Sequence, residues 1–132
     1  MYPKTLATLG DHIRARRLDR GLLQKEVALT LGVNLNTVTG WEKNRLSPMT
    51  AQLPRIIAFL GYTPPPYDKI PDTLGERIRL YRLTHGLSQE RFADFLGVDE
   101  STVFHWEYGK HAPSKKLMKK LIALDFSEGG YS

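Results

Sequence analysis

Residues 86–113 read GLSQERFADFLGVDESTVFHWEYGKHAP, a pattern of two short helices joined by a tight turn. Ser88 suits the N-cap of the first, where its hydroxyl oxygen accepts from an otherwise unpaired helical N–H. Phe92, Ala93 and Leu96 form the apolar face of that helix. Gly97 ends it, because the residue just past a helix often needs the left-handed conformation. Asp99 is placed as the N-cap of the second helix, on which Val103 and Trp106 lie three positions apart and share one face.

The pattern occurs earlier too. Residues 21–48 read GLLQKEVALTLGVNLNTVTGWEKNRLSP and align with the later stretch at a constant offset without a gap. Gln24 answers Gln89, Ala28 answers Ala93, and Trp41-Glu42 answers Trp106-Glu107. The match extends upstream, where Thr8-Leu9-Gly10 answers Thr73-Leu74-Gly75. About two positions in five are identical across the paired windows, which marks an internal duplication. Two helices joined by a glycine-containing turn describe a helix-turn-helix, whose second helix can enter a DNA major groove.

On these residues both halves resemble the Cro/C1-type (XRE) helix-turn-helix domain. The resemblance is carried by Arg17, Gly21-Leu22, Gln24, Ala28, Gly32-Val33, Val38 and Trp41-Glu42, with the equivalent set in the second half. It implies an all-α fold of two tandem lambda-repressor-like domains, at residues 1–62 and 73–132, joined by a Pro-rich linker at 63–72. Leu23 departs from the family pattern, which has a capping Thr or Ser there, so the first copy's second helix is expected to start less firmly.

Composition narrows the alternatives. At 132 residues the chain divides into two small domains. Each has about 55–60 residues, a size at which a single core is marginal. No cysteine is present, which excludes disulfides and Cys-based zinc or redox sites. No apolar run is long enough to span a membrane, and Met1-Tyr2-Pro3-Lys4 lacks the apolar stretch of a signal peptide, so a cytoplasmic protein is expected. Net charge is +5, with a pI near 9.6, which favours a polyanionic partner. Residues 1–66 carry nine Lys/Arg against four Asp/Glu, whereas residues 67–132 carry ten of each. The first copy therefore holds the whole excess.

The spacing predicts helices over about 6–20, 24–31, 35–43 and 54–61 in the first copy. Leu6, Leu9, Ile13 and Leu18 face inward on the first, leaving Arg14, Arg16 and Arg20 for solvent or phosphate. Pro54 fits the first turn of the fourth helix and Gly61 its stop. Residues 63–71, TPPPYDKIP, are expected to run as an extended spacer of about 3.1 Å per residue. Such a spacer could bridge two successive major grooves about 35 Å apart. A fold-back through Tyr67 and Ile70 is the competing reading. The second copy repeats the plan from about Thr73 to His85 with Leu74, Ile78 and Leu83 inward. Its last helix follows a Ser114 cap, buries Leu117, Leu121 and Leu124, and turns a face of lysines outward. Ser127 to Ser132 are expected to fray.

The resemblance also implies where DNA is touched. Arg17 pairs with Glu42, and Arg82 with Glu107, joining the first helix to the end of the third and holding the arginine toward phosphate; a purely structural pair is the bland alternative. Gln24 and Gln89 open the second helices, where they bond phosphate and buttress the recognition helix, with Lys25 beside Gln24. Base edges are reached from Leu35, Asn36 and Gly40 in the first copy and from Glu100, Ser101 and His105 in the second. Thr37, Thr39 and Lys43 lie near them, as do Thr102, Phe104 and Tyr108. Arg45 and Lys110, in the loops after these helices, suit phosphate. Trp41 and Trp106 read as core rather than as stacking platforms, since one face of each third helix must be buried. His105 has only His111 nearby and no carboxylate cluster, which argues against a metal or catalytic role.

The expected function is that of a sequence-specific, double-stranded-DNA-binding transcriptional regulator acting as a repressor. No catalytic constellation, phosphate-binding glycine loop, cofactor or metal site is expected. A homo-oligomer or a protein partner is compatible with the sequence. The alternative is a protein-interaction module, such as an antitoxin or adaptor, in which one copy has ceased to bind DNA; the neutral second half favours it.

Overall fold

The computed structural model describes residue 3 and residues 5–126, and the regular structure among them is entirely helical. The expected fraying of Ser127 to Ser132 lies outside these residues, as do Met1, Tyr2 and Lys4. The chain divides into two units between Lys69 and Ile70, within the Pro-rich segment.

In the first unit, α1 spans Leu9–Asp19 and begins three residues later than its periodicity predicts. Thr8 fixes the start. Its hydroxyl accepts from the Asp11 N–H at 3.1 Å, while the Asp11 carboxylate accepts from the N–H groups of Thr8 (3.2 Å) and Ala7 (3.1 Å). This reciprocal capping box satisfies the orphan donors at that point, and Leu6 stays outside the helix and exposed. The Leu6 carbonyl instead accepts from Nε2 of the buried His12 (3.1 Å), whose Nδ1 bonds the Tyr62 hydroxyl.

Helices α2 (Gln24–Leu31) and α3 (Leu35–Glu42) follow, separated by a turn whose Gly32 adopts a left-handed φ of 71°. A single 3₁₀ turn at Thr50–Gln52 leads into α4 (Leu53–Leu60), with Pro54 in its first turn and Gly61 ending it at φ 82°. Ile13, Val27, Val38, Trp41, Ile56 and Leu60 meet in the core. Each such side chain contributes about 1.5–3 kcal/mol by leaving water, which outweighs the modest helix propensities of Val and Ile.

The arginines of α1 are less free than their sequence positions predict. Arg16 Nε donates to the Phe59 carbonyl at 3.2 Å, and the Arg20 guanidinium lies 5.8 Å from the Phe59 ring centre. Both tie α1 to α4. Arg14 is half-buried, and its Nε finds no partner among the described residues.

The Pro-rich segment does not run extended. The Tyr67 N–H donates to the Pro64 carbonyl at 2.8 Å across a cis Pro65–Pro66 peptide, which is the geometry of a turn with cis-proline at its third position. Pro64 is fully buried and Tyr67 half-buried, whereas Ile70 is 83% exposed. The segment therefore turns at 64–67 rather than running fully extended, and the exposed Ile70 does not pack as a fold-back requires.

The second unit comprises α5 (Leu74–Thr84), α6 (Gln89–Leu96), α7 (Glu100–Glu107) and α8 (Lys115–Leu121), the last running into one wider, π-type turn at Ile122–Phe126. Thr73, Ser88 and Ser114 cap their helices through their hydroxyls. Asp99 occupies the N-cap of α7, but its side chain makes no capping bond. Ile78, Phe92, Leu96, Val103, Trp106 and Leu121 form the core, with Leu74, Leu117 and Leu124 at its edge. Leu83 is half-buried and lies outside that cluster.

Two glycines let the first helix of each unit touch the end of the third. A Cβ on Gly10 would overlap the Trp41 carbonyl, and one on Gly75 would lie 2.5 Å from the Trp106 carbonyl oxygen and 2.6 Å from that of Glu107. Backbone meets backbone there, so no side chain fits.

Candidate nucleic-acid interface

Each unit fixes its third helix with the same buried ionic lock. Arg17 lies on the last turn of α1 and Glu42 at the end of α3. Their groups meet as a parallel fork: Nε to Oε2 at 2.7 Å and Nη2 to Oε1 at 2.9 Å. Arg17 Nη1 also donates to the Leu22 carbonyl at 3.1 Å, so three of its five N–H groups bond within the unit. Gln24, the first residue of α2, donates from Nε2 to Glu42 Oε1 at 3.1 Å. One carboxylate thus gathers α1, α2 and α3.

The second unit repeats this atom for atom. Arg82 Nε and Nη2 donate to Glu107 at 2.7 and 3.0 Å, Nη1 donates to the Leu87 carbonyl at 3.0 Å, and Gln89 Nε2 donates to Glu107 Oε1 at 3.2 Å. Side-chain exposures are 12% and 3% for the first pair and 9% and 2% for the second, so both pairs are largely withdrawn from water. A charge pair at that depth is costly to break, because the surviving partner is stranded.

The locks hold Trp41 and Trp106 inward, at 2% and 3% exposure, which settles them as core. On the opposite side α3 presents Leu35 and Asn36 to solvent, with Thr37 and Thr39 half-buried. The Thr37 hydroxyl donates to Asn34 Oδ1 at 3.0 Å, and that oxygen also caps α3 by accepting from the Thr37 N–H at 2.9 Å. Thr39 donates to Gln24 Oε1 at 2.9 Å and so extends the lock to the outer face of α3. Lys43 and Arg45 are exposed at the end of α3 and beyond it, and Lys25 is exposed on α2.

Gly40 is buried rather than presented. A Cβ there would lie 2.5 Å from Leu46 Cδ1, so the space above this glycine is filled from within the unit and not left open for a groove. The second unit solves the same packing differently. Its equivalents are His105 and His111, whose rings meet edge to face at 5.2 Å. Both positions differ between the two copies.

On α7, Glu100 and Ser101 are exposed, Thr102 and His105 half-buried, and Lys110 exposed in the following loop. Phe104 stands where Thr39 stands in the first copy, and Tyr108 where Lys43 stands. Asn44, missed as a structural residue by the sequence reading, takes a left-handed φ of 60° after α3 and accepts from the Thr8 hydroxyl at 2.8 Å. Its equivalent, Gly109, takes φ 72°.

Among the described residues no group of three or more His, Cys, Asp or Glu is placed to hold a metal ion, and no helix is long and apolar enough to cross a membrane. The helix-turn-helix family model matches the chain twice, over residues 13–67 and 78–124. The chain is 43% identical over 57 residues to a SPbeta prophage-derived uncharacterized HTH-type transcriptional regulator of Bacillus subtilis strain 168, covering 39% of this chain and 53% of that protein. It is 42% identical over 45 residues to an uncharacterized HTH-type transcriptional regulator of Methanocaldococcus jannaschii, covering 34% and 68%. The chain thus spans about half the length of the first relative and about two thirds of the second. No solved structure matches it. With two matched regions that take up most of its length, each built on the same Arg–Glu–Gln lock, the chain belongs to the XRE-type helix-turn-helix family and carries that family's domain twice.

Proposed function

We propose that the chain is a sequence-specific duplex-DNA-binding transcriptional regulator rather than an enzyme, acting in the cytoplasm as a repressor that occludes a promoter. The observation that carries this reading is the duplicated lock. It turns one ridge of α3, and one ridge of α7, outward while the other side of each helix is buried. Asn36 is exposed on α3 with an amide able to bond adenine at N6 and N7, and Leu35 offers an apolar contact to a thymine methyl. The net +5 of residues 1–66 supplies attraction for phosphate around that helix.

Both copies read DNA in this proposal, and the first supplies more of the affinity. The regulatory outcome and the half-site arrangement belong to the same proposal, as does the homologous role of the regulators named above. Binding-site selection on the full chain tests it. Asn36→Ala is expected to weaken the selected site by about 1–3 kcal/mol and to relax one base position. Binding that ignores sequence in the wild type would sink the reading.

A second reading is favoured by the charge of the second copy: Glu90 stands where the first copy has Lys25, and residues 67–132 carry no net charge. There the second copy is a protein-interaction module. Selection of a single half-site by the full chain would support it.

A further inference from the structure

The two recognition helices are held alike but carry unlike ridges. Positions i, i+4 and i+8 of an α-helix line one face. In the first unit they are Leu35, Thr39 and, at the C-cap of α3, Lys43; in the second they are Glu100, Phe104 and, at the C-cap of α7, Tyr108. Val103 and Trp106 face the core, so this ridge lies on the outer side. Phe104 is 38% exposed and Tyr108 69% exposed. Their rings lie 4.5 Å apart, and the His105 ring meets Phe104 edge-on at 5.7 Å. His105 is braced in turn by His111. The aromatic pair is therefore propped outward as a shelf rather than folded into the core.

We propose that Phe104 and Tyr108 form a reader of thymine 5-methyl groups, which makes them specificity-determining residues of the second copy. The inference rests on the duplex-DNA reading above. In the major groove the C5-methyl of thymine is the apolar group that distinguishes one base edge from another. Only Tyr108 has a hydroxyl to offer phosphate or a base edge; through its face, a large ring on the groove-facing ridge bonds neither. What it gains from the groove is contact with that methyl and release of water from both. The ridge carries no Lys or Arg, so it adds discrimination without adding attraction to every duplex. Glu100, at its N-terminal end, accepts only, and so favours a neighbouring base that offers an exocyclic amine. The ligand is thus a duplex with thymine methyls beside an amine-bearing base.

The test uses the full chain and its selected site, with each thymine replaced in turn by uracil, which removes the methyl and keeps the pairing edge. Removing one buried methyl is expected to weaken binding about fourfold. The thymines facing α7 should lose their uracil sensitivity in Phe104→Ala and in Tyr108→Ala, while those facing Leu35 keep it. Both residues are exposed, and unchanged thermal unfolding of the two variants confirms that they fold. A flat uracil scan beyond the Leu35 half-site, or sensitivity that survives both substitutions, overturns the proposal. So does a change in self-association or protein capture with DNA recognition unaltered, because the shelf would then be a protein-docking surface. Absence of any duplex binding by the wild type is a different result: it removes the function proposed above and this inference with it.

Discussion

At the scale of single residues, the positions that matter most are those where two backbones touch. Alanine is a better helix former than glycine by about 1 kcal/mol, so propensity alone would have Gly75→Ala stabilise α5. The overlap with the carbonyls of Trp106 and Glu107 opposes this, and neither carbonyl belongs to a flexible side-chain end that can swing away. Overpacking costs typically 1–3 kcal/mol and wins. Gly75→Ala is expected to lower the midpoint of thermal unfolding; a rise would mean that α5 stands off from α7. Asp11 supplies a second residue-scale prediction. Burial pushes its carboxyl pKa up, but the N–H groups of Thr8 and Ala7, with the side chains of Thr8 and Asn44, outweigh that and hold it below the ordinary aspartate value. Because the folded value is the lower one, the stability it contributes is present above the unfolded pKa and is lost as pH falls through the folded one. The difference in melting temperature between wild type and Asp11→Asn should therefore be largest near neutrality and shrink below about pH 4.

At the scale of elements, caps separate two helices that the sequence treats as equals. Asn34 and Asp99 both occupy N-caps of third helices, yet only Asn34 makes the bond to the helix, at 2.9 Å. Asn34→Ala should cost about 1 kcal/mol in chemical denaturation, and Asp99→Ala much less. Equal losses would show that Asp99 caps α7 in solution. The reverse asymmetry exists at the second helices. Leu23 offers no capping oxygen, and Glu26 compensates by accepting from the Leu23 N–H at 2.8 Å, whereas Ser88 caps α6 directly. Helix existence and order were legible in the sequence because Ser88, Gly32, Gly61 and Gly97 act locally, whereas the Thr8 cap that starts α1 was not read. The lock was legible through the family resemblance. What escaped the sequence depends on partners far along the chain or on packing: Leu46 over Gly40, Arg16 drawn to Phe59, and the turn that buries Pro64. Three prolines in a row predict extension, and burial of the first one overrides that preference.

At the scale of the whole molecule, charge is the dominant asymmetry, since the +5 excess lies entirely in residues 1–66. Lys43 and Arg45 are exposed beside α3, so each should contribute one phosphate contact. Lys43→Ala and Arg45→Ala should each flatten the dependence of log binding constant on log salt by about 0.9 and weaken all duplexes alike. Weakening confined to the preferred site would identify a base contact instead. The lock described in each unit bears on how the gene can change. In the first copy the outer ridge of α3 is wired into it, because the Thr39 hydroxyl donates to Gln24. In the second copy Phe104, a side chain with no hydrogen-bonding atom, occupies the place of Thr39. A substitution there breaks no hydrogen bond of the Arg82–Glu107–Gln89 lock. In the proposed DNA-binding role, the ridge of the second copy is thereby open to replacement at no expense to its scaffold, and that of the first is not.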